Sequence, residues 1–569
     1  MPSISPTTPT VSRSSCGIVS RYYAIRYPRP IILPELATEL LMKILLELHV
    51  GDLTRCKRVC RRLNDLVTND LSLQYKMELD IAGMVDGPPG AADLGVRLKK
   101  LRARNATWQT GLPVHTLLLD SPNIPTTVWH CTGGFLLYEQ RSTAQSLQFQ
   151  LHRPAYPNSQ TSGGLRVASK TLFAWKTSIP SLAEIRSCSV NPEENMVVIT
   201  KNTGHMEIPR CVVLSISRDT TPHPMAAQSE YLASRPRAQP QLSDRDRIES
   251  VGDLISWTIH PAMNTGEHSE MLVINWKSGA TVWRSEGKST AKCLLLDSSH
   301  ILVIDHQGLF VHEFDPNLSP ATTPPYSTTD DSSILFALPA LHGGTRVESL
   351  QCYVPGPRNF GGDRVHFQED PDLAILAIHM CTSTSRVLFH SPHKEHLIYV
   401  VPLSTILAEL ENHAQIPTRR QGRVIPWSQW GPDGARLLRV DSEPHILTIM
   451  GSRVAIPLGA RNLEIVQDIF VVDVRPRSAA ETFSGRGRDG SAALGAPRGR
   501  VDVSDTIPGL ESFAVPVTTR LPYRMTYVKA WTESDAKLVV GQVLTHDGVV
   551  LTCNPLPLPI GQIIQQMNA

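Results

Sequence analysis

The chain has 569 residues, 41% hydrophobic and 19% charged, with a formal net charge of +2. That size can bury a sizeable core, as several domains or as one large repeat fold with additions. A charge so near zero excludes attraction of the whole chain to nucleic acid or to an anionic membrane, and ten scattered cysteines without a CxxC pair give neither a disulfide framework nor a zinc site.

Residues 1–30 are rich in Ser, Thr, Pro and Arg, lack a secretory apolar core, and read as a flexible leader. Helical periodicity starts at Leu33 and Pro34, a proline suited to a first helical turn. Leu36, Leu40, Leu41, Ile44, Leu45 and Leu48 follow at helical spacing and are expected to point inward. They sweep roughly half the circumference, more than the stripe of about 100° that a small surface helix requires. Gly51 and Asp52 read as a break and a cap before a second helix, with Leu53, Cys56, Val59, Cys60, Leu63 and Leu66 apolar and Arg55, Lys57, Arg58, Arg61 and Arg62 wet. A third helix is expected over about 70–79. A unit this small buries too little surface to stand alone, so its surplus apolar area calls for cover, either by the rest of the chain or by another protein.

Order and spacing here are specific. Leu33-Pro34, Ile44-Leu45 with Leu48, Asp52-Leu53 with Cys56, and Val59-Cys60-Arg61-Arg62 resemble an F-box, the helical module that joins a protein to a Skp–cullin–F-box ubiquitin ligase. One departure is Leu63, where F-boxes often carry Trp. The resemblance implies docking to a Skp-family adaptor, and through it a cullin, by Leu33, Pro34, Ile44, Leu48, Leu53, Val59, Cys60 and Leu63. It implies an adaptor that selects an unknown target protein and performs no chemistry itself.

An 80–111 linker should follow, with a basic helix over 94–108 bearing Leu94, Leu98, Leu101 and Trp108 on one side and exposed Arg97, Lys99, Lys100, Arg102 and Arg104. The run through Met84 and Pro88 into this helix resembles a subgroup of fungal F-box proteins, as do the segments around Trp427 and Leu521.

From residue 112 onward short apolar runs alternate with turn residues. PVHTLLLD, GGFLLYEQ, SLQFQLHR, RCVVLSIS and MLVINW have strand length. A hairpin is expected from His300–Ile304 to Leu309, and another around Asp547-Gly548. Val251 to Trp257 reads as one strand, and Asn275-Trp276-Lys277-Ser278-Gly279 resembles the end of a WD-type repeat. Recurrence at about 45 residues favours a propeller, whose radial repetition protects sheet edges. The expected fold is therefore α+β multidomain: a three-helix F-box over 31–79, the linker, and an all-β domain over 112–569. That domain is expected to be a degenerate WD-like β-propeller of about six to eight blades, with a pair of β-sandwiches as the alternative. Stretches 219–246, 316–333 and 475–500 are poor in apolar residues and are expected to be flexible insertions.

Two constellations imitate active sites. Gly485-Arg486-Gly487-Arg488-Asp489-Gly490 spells GxGxxG but lacks the flanking strand and helix that would aim N–H groups at a pyrophosphate. His390, His393 and His396 straddle Pro392, and their spacing of three splits them between two faces of a strand. A surface turn is expected there. No nucleophile elbow, HExxH or P-loop occurs. The expectation is no enzyme, no cofactor, no metal, no nucleic-acid or membrane partner, and residence in cytoplasm or nucleus. A scaffold acting outside the ligase and a propeller enzyme with channel carboxylates are the competing classes.

Overall fold

The computed structural model describes residues 35–87, 93–110, 125–132, 135–143, 146–153, 170–177, 185–191, 194–201, 208–215, 221–234, 247–260, 269–287, 291–328, 334–354, 367–384, 393–414, 422–440, 443–444, 447–459, 466–474, 500–502, 505–506, 510–529, 537–545 and 548–555. The chain divides into two compact units, Met1–Leu73 and Gln74–Ala569.

The first unit holds α1 (Thr38–Glu47), α2 (Val50–Cys56), α3 (Arg61–Asn69) and the start of α4 (Leu71–Ala82). The expected second helix is thus two helices. Cys60 is extended, at φ −155° and ψ 163°, and starts α3. Gly51 lies inside α2 rather than breaking the chain, and the cap is His49, whose Nδ1 accepts from Gly51 N at 3.2 Å. Asp52 sits in the first turn and pairs with Arg55 at 2.8 Å. Asp70 caps α4 by accepting from Ser72 N at 2.8 Å and Leu73 N at 3.1 Å. Arg62 ties α3 to the start of α1, donating from Nη2 to Leu36 O at 2.9 Å and Thr38 Oγ1 at 3.1 Å.

In the second unit, six mainly antiparallel sheets of four or five strands follow one another along the chain. The first runs through Pro125–Thr132, Phe135–Thr143, Ser146–Arg153 and Lys170–Thr177, and the second through Ile185–Asn191, Met196–Lys201, Arg210–Ser215 and Glu230–Leu232. The third contains Arg247–Val251, Leu254–Ile259, Ser269–Asn275 and Ala280–Gly287, and the fourth Lys292–Leu295, His300–Ile304, Gly308–Glu313 and Ile334–Ala337. The fifth contains Thr345–Tyr353, Ile375–Thr384, His393–Pro402 and Arg436–Val440, and the sixth Thr448–Met450, Arg453–Gly459, Val466–Val474 and Tyr523–Lys529. A hairpin of Lys537–Thr545 and Gly548–Pro555 comes last. Each sheet is an up-and-down meander, and the first strands of the first four lie beside one another in succession. This is β-propeller order, and it replaces the sandwich alternative, which needs two facing sheets.

Alternation along a strand sends its side chains to two cores at once. In the fifth sheet Leu376, Ile378, Leu397 and Tyr399 join the core shared with the fourth sheet, while Ile375, Ala377, Ile398 and Val400 join the core shared with the sixth. In the third sheet Leu272 and Ile274 face the second sheet, and Met271 and Val273 face the fourth. Middle strands therefore read as unbroken apolar runs, because neither face meets water.

Turns carry the local signals. Asn275 Oδ1 accepts from Lys277 N at 3.1 Å and Ser278 N at 3.0 Å, Gly279 adopts φ +80°, and the buried Trp276 donates its indole N–H to Gly252 O at 3.0 Å. The stretch from Val251 to Trp257, expected as one strand, is a two-residue hairpin. Val251 pairs with Leu254, and Gly252 turns at φ +54°.

Insertions also differ from expectation. Within 219–246, Glu230–Leu232 completes the second sheet, and Tyr231 donates to Trp276 O at 2.8 Å. Within 316–333, Tyr326–Ser327 adds a parallel strand to the third sheet, and Tyr326 lies under the Arg284 guanidinium at 4.0 Å. Backbone pairing at a sheet edge orders these segments without an apolar core of their own. Residues 475–499, with the GxGxxG string, lie outside the described residues. Glu395 and His396, expected in a surface turn, are buried in the strand His393–Pro402.

The expected linker belongs to the propeller unit. Strand Met84–Asp86 pairs with Phe367–Glu369, and Tyr75, Leu79, Leu98 and Leu101 pack around Phe367. On α5 (Leu94–Thr110), Arg97 and Arg104 are buried rather than solvated. Arg97 binds Asp86 at 2.6 Å. Arg104 meets Glu369 at 2.7 Å, and the same carboxylate oxygen lies 3.5 Å from Arg453, which also reaches Asp473 at 3.4 Å and donates to Ala82 O at 2.9 Å. Removing one member of a buried charge network leaves the others uncompensated. Glu369→Ala should cost about 3–5 kcal/mol in urea unfolding, whereas Glu230→Ala, at an exposed pair, should stay within about 0.5 kcal/mol.

On the side of the fifth sheet facing the sixth, His379 Nε2 and His396 Nδ1 stand 3.3 Å apart in stacked, buried rings. Burial, reinforced by the neighbouring His396, holds His379 down at about 4, against an ordinary 6.5. Burial also lowers His396, with Glu443 opposing and Lys394 assisting. The folded state thus binds fewer protons than the unfolded one between these values. The contribution of His379 is complete above about pH 6.5 and is lost as pH falls toward 4. Urea unfolding at pH 5 should show about 2 kcal/mol less stability from this source than at pH 7.5, and His379→Gln should remove that part of the slope.

Candidate docking site

The first unit keeps a narrow stripe of α1 inside: Leu41 and Leu45 are buried, together with Leu53, Leu63 and Val67. The rest of the apolar arc is left out. Leu40 is 51% exposed, Ile44 38% and Val59 68%, with Leu46 and Leu71 also exposed. A single exposed leucine is ordinary, but several on so small a unit form a surface that another body can cover. The expected inward orientation of Leu40 and Ile44 is corrected by this exposure.

The eight residues expected at the adaptor contact separate by burial. Ile44 and Val59 face outward, and Leu48 and Cys60 are half-buried. Leu53 and Leu63 are fully buried, so they hold the helices together and are not available to a partner. Leu33 and Pro34 lie outside the described residues. Leu40, outside that set, is also exposed and lies one turn before Ile44 on the same side of α1. Around Val59, Arg58 and Arg61 are exposed and Lys57 is half-buried.

Polar groups also gather along the first strands of the propeller sheets. Ser189 and Ser250 hydroxyls meet at 3.3 Å, Arg247 donates to Cys352 O, and Lys292 donates to His260, whose Nδ1 lies 3.1 Å from Ser269 Oγ. Among the described residues, no group of three or more His, Cys, Asp or Glu could hold a metal ion, and no helix is long and apolar enough to cross a membrane. Burial pushes the Cys352 thiol up to about 11 and Cys293 to about 12, so neither is a thiolate at neutral pH.

The chain thus combines a small helical unit that has exposed apolar side chains with an all-β, propeller-like domain. Residues 34–79 match the model of the F-box-like family, so the chain carries an F-box-like domain at its N-terminal helices. No curated protein matches the sequence. Among solved structures, the chain is similar to the β-propeller domain of the Trilobed protease from Pyrococcus furiosus, at 8% identity over 61% of this chain and 82% of that one, TM-score 0.28. It is similar to Kluyveromyces lactis Hsv2p at 11% identity over 61% and 93%, TM-score 0.29, and to the WD40 domain of SCAP from fission yeast at 9% identity over 72% and 96%, TM-score 0.27. At these scores the likenesses add nothing to the sheet order described above.

Core and docking roles separate in a stability measurement. Leu53→Ala and Leu63→Ala should each cost about 2–5 kcal/mol if the first unit is monitored. Val59→Ala, at an exposed position, should change stability by less than about 0.5 kcal/mol.

Proposed function

We propose that this chain is the substrate-recognition subunit of a Skp–cullin–F-box ubiquitin ligase. Its N-terminal helices dock to a Skp-family adaptor and its propeller holds a target protein. The observation that carries this reading is the uncovered apolar set Leu40, Ile44 and Val59 on a domain that matches the F-box-like family. In this role the chain is a positioning device and not an enzyme. Holding a target lysine near a charged ubiquitin-conjugating enzyme raises its effective concentration, and no side chain here acts as acid, base or nucleophile. The target is read by loops at a propeller rim, which vary freely on a rigid scaffold. Cytoplasm or nucleus is the compartment proposed for such a complex.

The test is co-purification of the full chain with adaptor and cullin. Wild type should recover both. Ile44→Asp with Val59→Asp should reduce recovered adaptor at least about tenfold, because an ionised carboxylate in a dry contact is costly to bury. Leu33→Ala with Pro34→Ala should weaken it in the same direction. Recovery of neither partner by wild type would remove the proposal, and recovery of adaptor without cullin would make the chain a scaffold outside the ligase.

A further inference from the structure

Three connections of the propeller unit reach backwards in the same way. Each joins the third and fourth strands of its own sheet and lies on the sheet before it. Tyr326–Ser327, from the fourth sheet, pairs in parallel with Arg284 and Ser285 of the third. Arg423–Ile425, from the fifth, pairs in parallel with Ile334, Leu335 and Phe336 of the fourth. Residues 510–520, from the sixth, lie against the fifth but add no strand to it. This last connection is held by a polar clasp. Glu395 of the fifth sheet is buried beneath it, and its carboxylate accepts from Glu511 N at 3.3 Å, from Ser512 N at 3.0 Å and from the Ser512 hydroxyl. The same hydroxyl stands 2.6 Å from Thr382 Oγ1. Arg439 is 4.0 Å from the carboxylate, beyond hydrogen-bonding distance. A carboxylate so buried is costly without donors, and these three come from two residues of the connection. On the other side of Ser512, its carbonyl accepts from His342 N at 2.8 Å, and Ala514 N donates to Ala340 O at 3.0 Å. Phe513 and Val517 join the core shared by the fourth and fifth sheets, whereas Ala514, Val515 and Pro516 face solvent. At the far end Arg436 donates to Thr519 O at 3.4 Å, and Arg520 pairs with Asp433 at 2.7 Å.

We infer that residues 510–520 are a latched lid over the core between the fourth and fifth sheets, locked by the clasp of Ser512 on Glu395 and Thr382, and that this lid opens while the sheets beneath it stay folded. The strand pairing of the fifth sheet runs through Thr345–Tyr353, Ile375–Thr384, His393–Pro402 and Arg436–Val440, and none of it passes through the lid. Lifting the lid therefore breaks the clasp and withdraws Phe513 and Val517, but leaves the ladders whole. The two parallel segments differ, because they are strands of the sheets they cover and open only with them. Hydrogen bonds to an ionised acceptor are stronger than neutral ones, so the charge on Glu395 sets how tightly the lid is held. Local opening of this kind is the usual origin of a segment less stable than the fold around it.

The experiment is amide hydrogen exchange of the full chain, read by mass spectrometry over residues 510–520, 397–400 and 271–274. In wild type 510–520 should be protected, yet exchange faster than the two middle-strand segments. Ser512→Asp sets a second carboxylate against Glu395 and should speed exchange of 510–520 at least about tenfold, with 397–400 and 271–274 unchanged. Glu395→Gln removes the charge but keeps an acceptor, and should act in the same direction by a smaller factor. Arg520→Ala, which cuts only an exposed ion pair, should change exchange of 510–520 by less than about threefold. Absence of protection over 510–520 in wild type would overturn the inference, as would protection that neither Ser512→Asp nor Glu395→Gln weakens. Acceleration of 397–400 in step with 510–520 would make the segment an integral part of the fifth sheet and would also overturn it. Glu395→Gln, the milder change, decides between these outcomes by itself where the charged variant does not fold.

Discussion

Burial on both faces of the middle strands of the second to fifth sheets is the constraint from which the rest follows. A strand such as Ile375–Thr384 serves two cores with alternate residues, so a polar side chain along it is costly unless it finds a partner. Several buried polar side chains on these strands are paired, as in His379 with His396 and Thr382 with Ser512 at 2.6 Å. A scaffold packed this way tolerates little change inside and leaves variation to its connections.

The N-terminal helices obey the opposite rule. Their core is small, Leu41, Leu45, Leu53, Leu63 and Val67, and their remaining apolar side chains stay uncovered. A folded unit that leaves Val59 and Leu40 in water carries a cost that a partner can remove. Two-sided burial makes the propeller a closed problem, and one-sided burial makes the helical unit an open one.

Between α5 and the propeller the organising force is charge. Arg104, Glu369, Arg453 and Asp473 come from segments far apart in the chain, and Trp108 lies 5.0 Å from the Arg453 guanidinium. Such a network contributes less to net stability than to fixing one arrangement, since a wrong packing would strand a buried ion. It explains why residues 74–110 belong to the propeller unit and are not a tether.

Sequence alone determined the class of each part. Helical spacing with Leu33-Pro34 and Val59-Cys60-Arg61-Arg62 marked the F-box-like module, and short apolar runs with turn residues at Gly279 and Gly548 marked the propeller, because these signals are local and periodic. Gly252 did not read as a turn, because the apolar run around it hid a hairpin. What only the tertiary structure decided was which side chains are covered. No glycine or proline announces the break at Lys57–Cys60, and nothing near Arg97 or Arg104 reveals a carboxylate waiting for it; the partner of Arg104 is 265 residues away. Likewise Leu53 and Val59 look alike in an apolar pattern, yet one is core and the other faces solvent. Periodicity reports which residues can be buried, and only the packing of distant segments settles which of them are.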